Sequence, residues 1–147
     1  MQDGADSRVI VIGATNRPRD LDDAVLRRLA RRVHVPLPNL STRLQLLHIT
    51  LENQASQLSG DDLQDVADAT EGYSGSDMAS LCKEAAMRPI RELSCAQLQT
   101  VDLQQLRHMN REDLLGAMKI VKPSVPQSVL KEFHDWNDEF GSDMKSL

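Results

Sequence analysis

The chain has 147 residues, 40% hydrophobic and 27% charged, a balance that supports a packed core and excludes wholesale disorder. One Trp, one Tyr and two Phe leave the core to Leu, Val, Ile, Ala and Met, and a formal net charge of −5 argues against a dedicated nucleic-acid binder. No apolar run reaches the roughly 20 residues of a membrane-spanning helix. The polar start Met1–Asp6 does not read as a signal peptide, and Cys82 and Cys95 are too few for a disulfide framework and lack zinc spacing, so a reducing intracellular compartment is expected.

The first predicted element is a strand, Arg8-Val9-Ile10-Val11-Ile12-Gly13, short, β-branched and of the kind covered on both faces in a parallel sheet. It runs into the polar turn Ala14–Pro18, and a helix is predicted over residues 21–31, with acids at its start and Arg at its end. Residues 32–38 read as a second short strand, with Pro36 and Pro38 marking an edge or an exit. Everything after Pro38 reads as helical. Leu44, Leu47 and Leu51 share a stripe over residues 41–53. Ser59–Asp62 has capping-box spacing ahead of Leu63, Val66 and Ala67, and Ser74–Asp77 has it ahead of Met78, Leu81 and Ala85. Pro89 should end or kink that helix. Residues 94–109 are weakly patterned, a connector with a short helix predicted at 102–107. Asn110 starts a helix with Leu114, Ala117, Met118 and Val121 inward. Pro126 opens a last helix, along which Val129, Phe133, Trp136 and Phe140 recur at helical spacing.

Two strands and a helix do not make a stable sheet, which needs three or more strands. The Val9–Ile12 strand requires neighbours on both sides, and the sequence supplies at most one. The expectation is therefore a C-terminal portion of a longer α/β protein, mostly α with a small α/β portion.

Three groups of residues could carry chemistry. Asn16 follows an apolar strand, where ligands of open α/β sheets collect, and it could orient a water or a phosphate oxygen; equally, it could stabilise its own turn. Residues 1–43 hold 8 Arg, no Lys and 5 acids (net +3), against 9 basic and 17 acidic residues (net −8) in 44–147. Arg27 with Arg31, and Arg28 with Arg32, would each share a helix face. They read either as a solvated basic helix end or as guanidinium groups for phosphate. The stretch Gly72-Tyr73-Ser74-Gly75-Ser76-Asp77 could admit a ligand to free backbone N–H groups, or be a plain capped turn. His34, His48, His108 and His134 show no metal-ligand pattern, and no G-x-S-x-G or G-x-x-x-x-G-K-[ST] motif is present.

Taken in order, Val9–Pro18, Leu21-Asp22, Ala24–Leu29 and Arg32–Pro38 resemble the second region of homology of the AAA ATPases. Gly72–Asp77 resembles the GYSGSD stretch that opens a helix of that family's lid. Pro89–Leu93, Val121–Val125, Trp136-Asn137 and Phe140-Gly141 resemble the meiotic, microtubule-severing subgroup, above all its spastin and fidgetin-like branches. The resemblance implies residues 1–40 as the incomplete C-terminal end of a P-loop AAA α/β subdomain. It implies residues 41–125 as a helical lid, and 126–147 as a C-terminal helix packing on the large subdomain. Asn16 falls at the sensor-1 position, and Arg27 and Arg28 at arginine-finger positions that reach the adjacent protomer of a hexamer. Gly75 and Ser76 fall where the lid approaches base and ribose. The lid helix carries no sensor-2 Arg.

The intact parent would use ATP and Mg2+, act on tubulin C-terminal tails or microtubules, and be cytoplasmic and cytoskeleton-associated, with the nucleus as an alternative compartment. The family's Walker A lysine, Walker B acids and pore loops have no counterpart in this sequence. This chain alone is therefore expected neither to bind nucleotide tightly nor to turn it over, and Met1–Gly4 resembles the segment just after Walker B. Two alternatives stand beside this reading. One is a non-catalytic helical interaction module; the other is an AAA ATPase acting on another polymer, such as membrane-remodelling filaments.

Overall fold

The computed structural model describes residues 9–52, 54–102 and 106–142. They fall into two units, one combining the segment up to His34 with that from Lys131 onward, the other spanning Val35–Leu130. Regular structure among them is helical. A 3-10 turn at Pro18–Asp20 is followed by α1 (Asp23–Arg28), α2 (Leu40–Leu51), α3 (Gly60–Ala69), α4 (Gly75–Arg91), α5 (Cys95–Leu98), α6 (Arg111–Met118) and α7 (Gln127–Phe140).

The Val35–Leu130 unit is built on α4, which packs against α2 and α6, while α3 packs against α2 and α6. Its core comprises Leu47 and Leu51 of α2, Leu63, Val66 and Ala67 of α3, Met78, Leu81, Cys82 and Ala85 of α4, and Leu114 and Ala117 of α6, with Tyr73 and Met109 from the connections. These are largely the stripes that the sequence places inward. Leu44, Met118 and Val121 pack at the margin rather than inside. Burial pushes the Cys82 thiol up to about 11, so this cysteine acts as a small apolar filler.

The helices α1 to α6 begin where their caps dictate. Asn39 accepts from the Thr42 N–H, and full capping boxes form at Ser59/Asp62, Ser74/Asp77, Ser94/Gln97 and Asn110/Asp113. One helix end is closed by a charge. Arg43 is buried, and its Nε and Nη2 donate to the Ala67 carbonyl in the last turn of α3 at 3.0 and 2.9 Å. Its Nη1 donates to Pro38 O at 3.0 Å. A cation at the negative end of a helix is favourable. Asp113 is buried as well and takes both Nη1 and Nη2 of Arg107, at 2.7 and 2.9 Å. Those hydrogen bonds outweigh burial and hold its carboxyl below the usual carboxylate range.

Several expectations are corrected. Arg8 lies outside the described residues, and residues 9–13 form no strand; Val9, Ile10, Val11 and Ile12 are 77%, 84%, 73% and 89% exposed. No neighbouring strand among the described residues offers them ladder hydrogen bonds. Residues 32–38 are not a strand either. The Arg32 carbonyl accepts from the Ser142 N–H at 2.9 Å, and the Arg32 N–H donates to Ser142 Oγ at 3.1 Å.

The helix predicted over 21–31 is confined to α1, capped by Asp22 and closed by the Leu29 N–H on Val25 O. Arg31 and Arg32 therefore lie beyond it and share no helix face with Arg27 and Arg28. Pro89 does not stop α4, which continues to Arg91; coming so near the end, its missing N–H costs a single bond. Of the helix predicted at 102–107, residues 103–105 lie outside the described set and 102, 106 and 107 are not helical, whereas Cys95–Leu98 is. Asn53, expected at the end of α2, also lies outside that set.

Candidate functional site

The unit containing residues 9–34 carries three of the five candidate residues. The turn after Gly13 is held by Thr15, whose Oγ1 accepts from the Arg17 N–H at 3.0 Å. Asn16 sits exposed on that turn, with its side-chain amide making no hydrogen bond among the described residues. Such an amide is free to orient a water or an anionic oxygen.

Asp22 caps α1 through Val25 N at 2.8 Å, and Arg27 and Arg28 fall in the last turn, where the helix dipole favours cations. Arg27 is 82% exposed and pairs only loosely with Asp23, at 3.9 Å. Arg28 is exposed and makes no ion pair among the described residues. Both guanidinium groups project into solvent, available to an external anion. Arg32 is used differently. Its Nη1 donates to Phe140 O at 2.8 Å and its Nη2 to Leu26 O at 2.5 Å, tying α1 to the end of α7 within this unit. That structural use has no signature in the sequence, because it depends on a residue more than a hundred positions away.

The other unit carries Gly75 and Ser76. Gly72 adopts φ +81°, a left-handed turn that L side chains resist, and it brings the chain round into α4. Tyr73 is buried and donates its hydroxyl to Val121 O at 2.6 Å. Burial, and then the charge of Asp77, raise its phenol pKa. Ser74 and Asp77 cap each other: Asp77 N donates to Ser74 Oγ at 3.1 Å and Ser74 N to Asp77 Oδ2 at 2.8 Å. Between them, Gly75 and Ser76 are exposed, and their N–H groups have no partner among the described residues. Those donors and the dipole of a 17-residue helix suit an anionic or polar ligand. Asp77 also accepts from Ser124 N at 3.2 Å. Burial raises its pKa, but the N–H groups of Ser74 and Ser124 and the two serine hydroxyls hold the carboxyl below the usual range.

A cavity of about 260 Å³ in this unit is lined by Ala86, Pro89, Ile90, Arg107 and Met109, among others. It lies along the C-terminal half of α4, away from Gly75 and Ser76 at the helix start. Among the described residues, no three His, Cys, Asp or Glu side chains converge to hold a metal ion. No helix among them is long and apolar enough to cross a membrane.

Comparison with known proteins gives these residues a context. Residues 1–37 match the ATPase family associated with various cellular activities (AAA), and residues 60–105 match the AAA+ lid domain. Spastin from Xenopus laevis is 49% identical over 141 residues, 96% of this chain. The chain belongs to the AAA family. Spastin from Rattus norvegicus matches it at 45% identity over 96% of the chain, and spastin from Dictyostelium discoideum at 44% over 93%. This AAA chain spans only about a quarter of such relatives, 24% of the Xenopus laevis protein.

Among solved structures, the FIGL-1 AAA domain in complex with ADP is similar, with a TM-score of 0.85 and 36% identity over 89% of this chain and 44% of that one. A katanin chain from a study of self-assembly gives a TM-score of 0.70 at 29% identity, over 82% of this chain and 44% of that one. The architecture is thus that of the C-terminal part of an AAA domain with its helical lid, in the spastin, fidgetin-like and katanin subgroup. Family membership implies nucleotide use by the parent domain.

Proposed function

We propose that this chain supplies the C-terminal catalytic elements and the lid of an ATP-hydrolysing, microtubule-severing AAA ring. Asn16 orients the attacking water. Arg27 and Arg28 of one protomer meet the phosphate charge of ATP held by its neighbour in a hexamer. Gly75 and Ser76 bring the start of α4 to the base and ribose. Mg2+ would neutralise phosphate charge in the parent, held by residues outside this set. Tubulin C-terminal tails are the proposed substrate, and a cytoplasmic, cytoskeletal setting follows from that.

The observation that supports this most is the order of the two AAA matches along the chain, combined with Arg27 and Arg28 standing free of strong partners at the end of α1. Phosphoryl transfer is catalysed mainly by positioning and charge stabilisation, and a guanidinium presented in trans contributes about 10³–10⁵ in rate. An exposed Arg pair with no strong internal partner suits that task better than one committed to its own fold, as Arg32 is.

The test joins the upstream half of Xenopus laevis spastin to this chain and measures ATPase and microtubule severing. Arg27→Ala or Arg28→Ala should reduce turnover by about 10³-fold while nucleotide binding persists. Normal turnover in both variants would refute the finger assignment.

A further inference from the structure

We infer that Tyr73 and Asp77 are positioning residues that brace the first turn of α4 against residues 121–124, the segment leading into α7. The inference rests on the proposed role of Gly75 and Ser76 and deepens it, because the brace fixes where their N–H groups point.

Two independent contacts make the brace. Tyr73 Oη donates to Val121 O at 2.6 Å, and Asp77 Oδ2 accepts from Ser124 N at 3.2 Å. One contact lies on each side of Gly75-Ser76, and both cross to the same short segment, 48 and 47 residues onward. Neither is needed for folding the helix itself. A capping box requires only the reciprocal bonds between Ser74 and Asp77. The box at Ser59/Asp62 serves α3 with a half-buried Asp62 whose only other polar partner among the described residues is Arg111, in an ion pair at 3.7 Å. Asp77, by contrast, is 6% exposed and has no cationic partner among the described residues. A buried carboxylate held only by N–H and O–H donors is stable solely while those donors stay in place. Its geometry is therefore strict, which is what a positioning group requires. The Tyr73 ring fills the core, but its hydroxyl adds only the contact to Val121.

The consequence is mechanical. Whatever shifts residues 121–125, and hence the lead into α7, is transmitted through the brace to the N–H groups of Gly75 and Ser76.

Two measurements test this. In the 147-residue chain as it stands, Asp77→Asn and Tyr73→Phe should accelerate hydrogen exchange roughly tenfold in 72–77 and 121–125 together, leaving the α2 and α6 cores protected. Acceleration in one segment alone, or in neither, overturns the brace. In the spastin-joined domain, the same variants should raise KM for ATP roughly tenfold with kcat within twofold, whereas a merely structural role would lower the active fraction and leave KM unchanged. An active joined domain whose variants keep the unmodified KM overturns the positioning role. An inactive joined domain counts against the proposed function instead, and the exchange data still decide the brace. Tyr73→Phe keeps the core volume, so the inference stays open to refutation should Asp77→Asn fold poorly.

Discussion

Replacing Arg43 with Met keeps the aliphatic stem and removes the buried guanidinium. Three donors disappear from two acceptors, Ala67 O and Pro38 O. A hydrogen bond from a charged donor contributes about 1.5–3 kcal/mol, and a cation in the last helical turn adds about 0.3–1 kcal/mol. Two effects reduce the sum. Ala67 O keeps a second partner, Thr70 Oγ1 at 3.1 Å, and Pro38 is only half-buried, so its carbonyl can reach water. Relief of guanidinium desolvation subtracts further.

The expected net loss is therefore that of one charged bond plus the dipole term, about 3 kcal/mol. For a unit the size of Val35–Leu130 that lowers Tm by about 12–24 °C. Urea unfolding of the whole chain, followed by circular dichroism at pH 7, measures it. Thr70→Val removes the other donor to Ala67 O and should cost about 1 kcal/mol alone. The double variant should cost more than the two single losses added, because the carbonyl then has no side-chain donor left. A midpoint for Arg43→Met equal to that of the unmodified chain would show that the guanidinium does not hold α2 to α3, and the reasoning would be wrong.

Acid should weaken the lid bundle with a defined sign. Asp77 and Asp113 have folded-state pKa values held below the ordinary 3.8, so their contribution is present above that value and is lost as pH falls through the lowered folded values. Stability measured from pH 6 down to pH 2 should fall below about pH 4, and Asp113→Asn should flatten the slope; an unchanged slope would contradict the Arg107–Asp113 account. Gly72→Ala should destabilise by about 1–2 kcal/mol through its positive φ alone, since no atom lies within 4 Å of the added methyl position, and Gly72→Asn should cost less. Equal stability of the Ala variant in urea unfolding would exclude the left-handed turn. Val11→Lys should leave the unfolding midpoint within about 0.5 kcal/mol of the original and reduce aggregation seen by light scattering, because the exposed β-branched run is an aggregation template; a large loss of stability would show that Val11 is packed.

The sequence by itself determined what is local or periodic. Capping residues Ser59, Ser74 and Asn110 fix helix starts through atoms three residues away, whereas the caps at Asp22 and Asn39 emerge only in the structure. Stripes such as Leu47–Leu51 and Leu63–Val66–Ala67 fix which faces turn inward. It also put Asn16, Arg27, Arg28, Gly75 and Ser76 forward as the candidate site, since motif order is a one-dimensional property. The tertiary structure decided whatever depends on distant partners. Val9–Ile12 has the composition of a strand but is exposed, since a strand exists only against a neighbour that supplies ladder hydrogen bonds. Arg32 and Arg43 look alike in the sequence to Arg27 and Arg28, yet carbonyls at Phe140, Leu26, Ala67 and Pro38 bind the first two inward while the others stay exposed. Asp77 reads as one half of a cap, and only the fold brings Ser124 to it from 47 residues away. An arginine or a carboxylate takes its role from the donors and acceptors that packing places beside it, and chain order does not encode that distance.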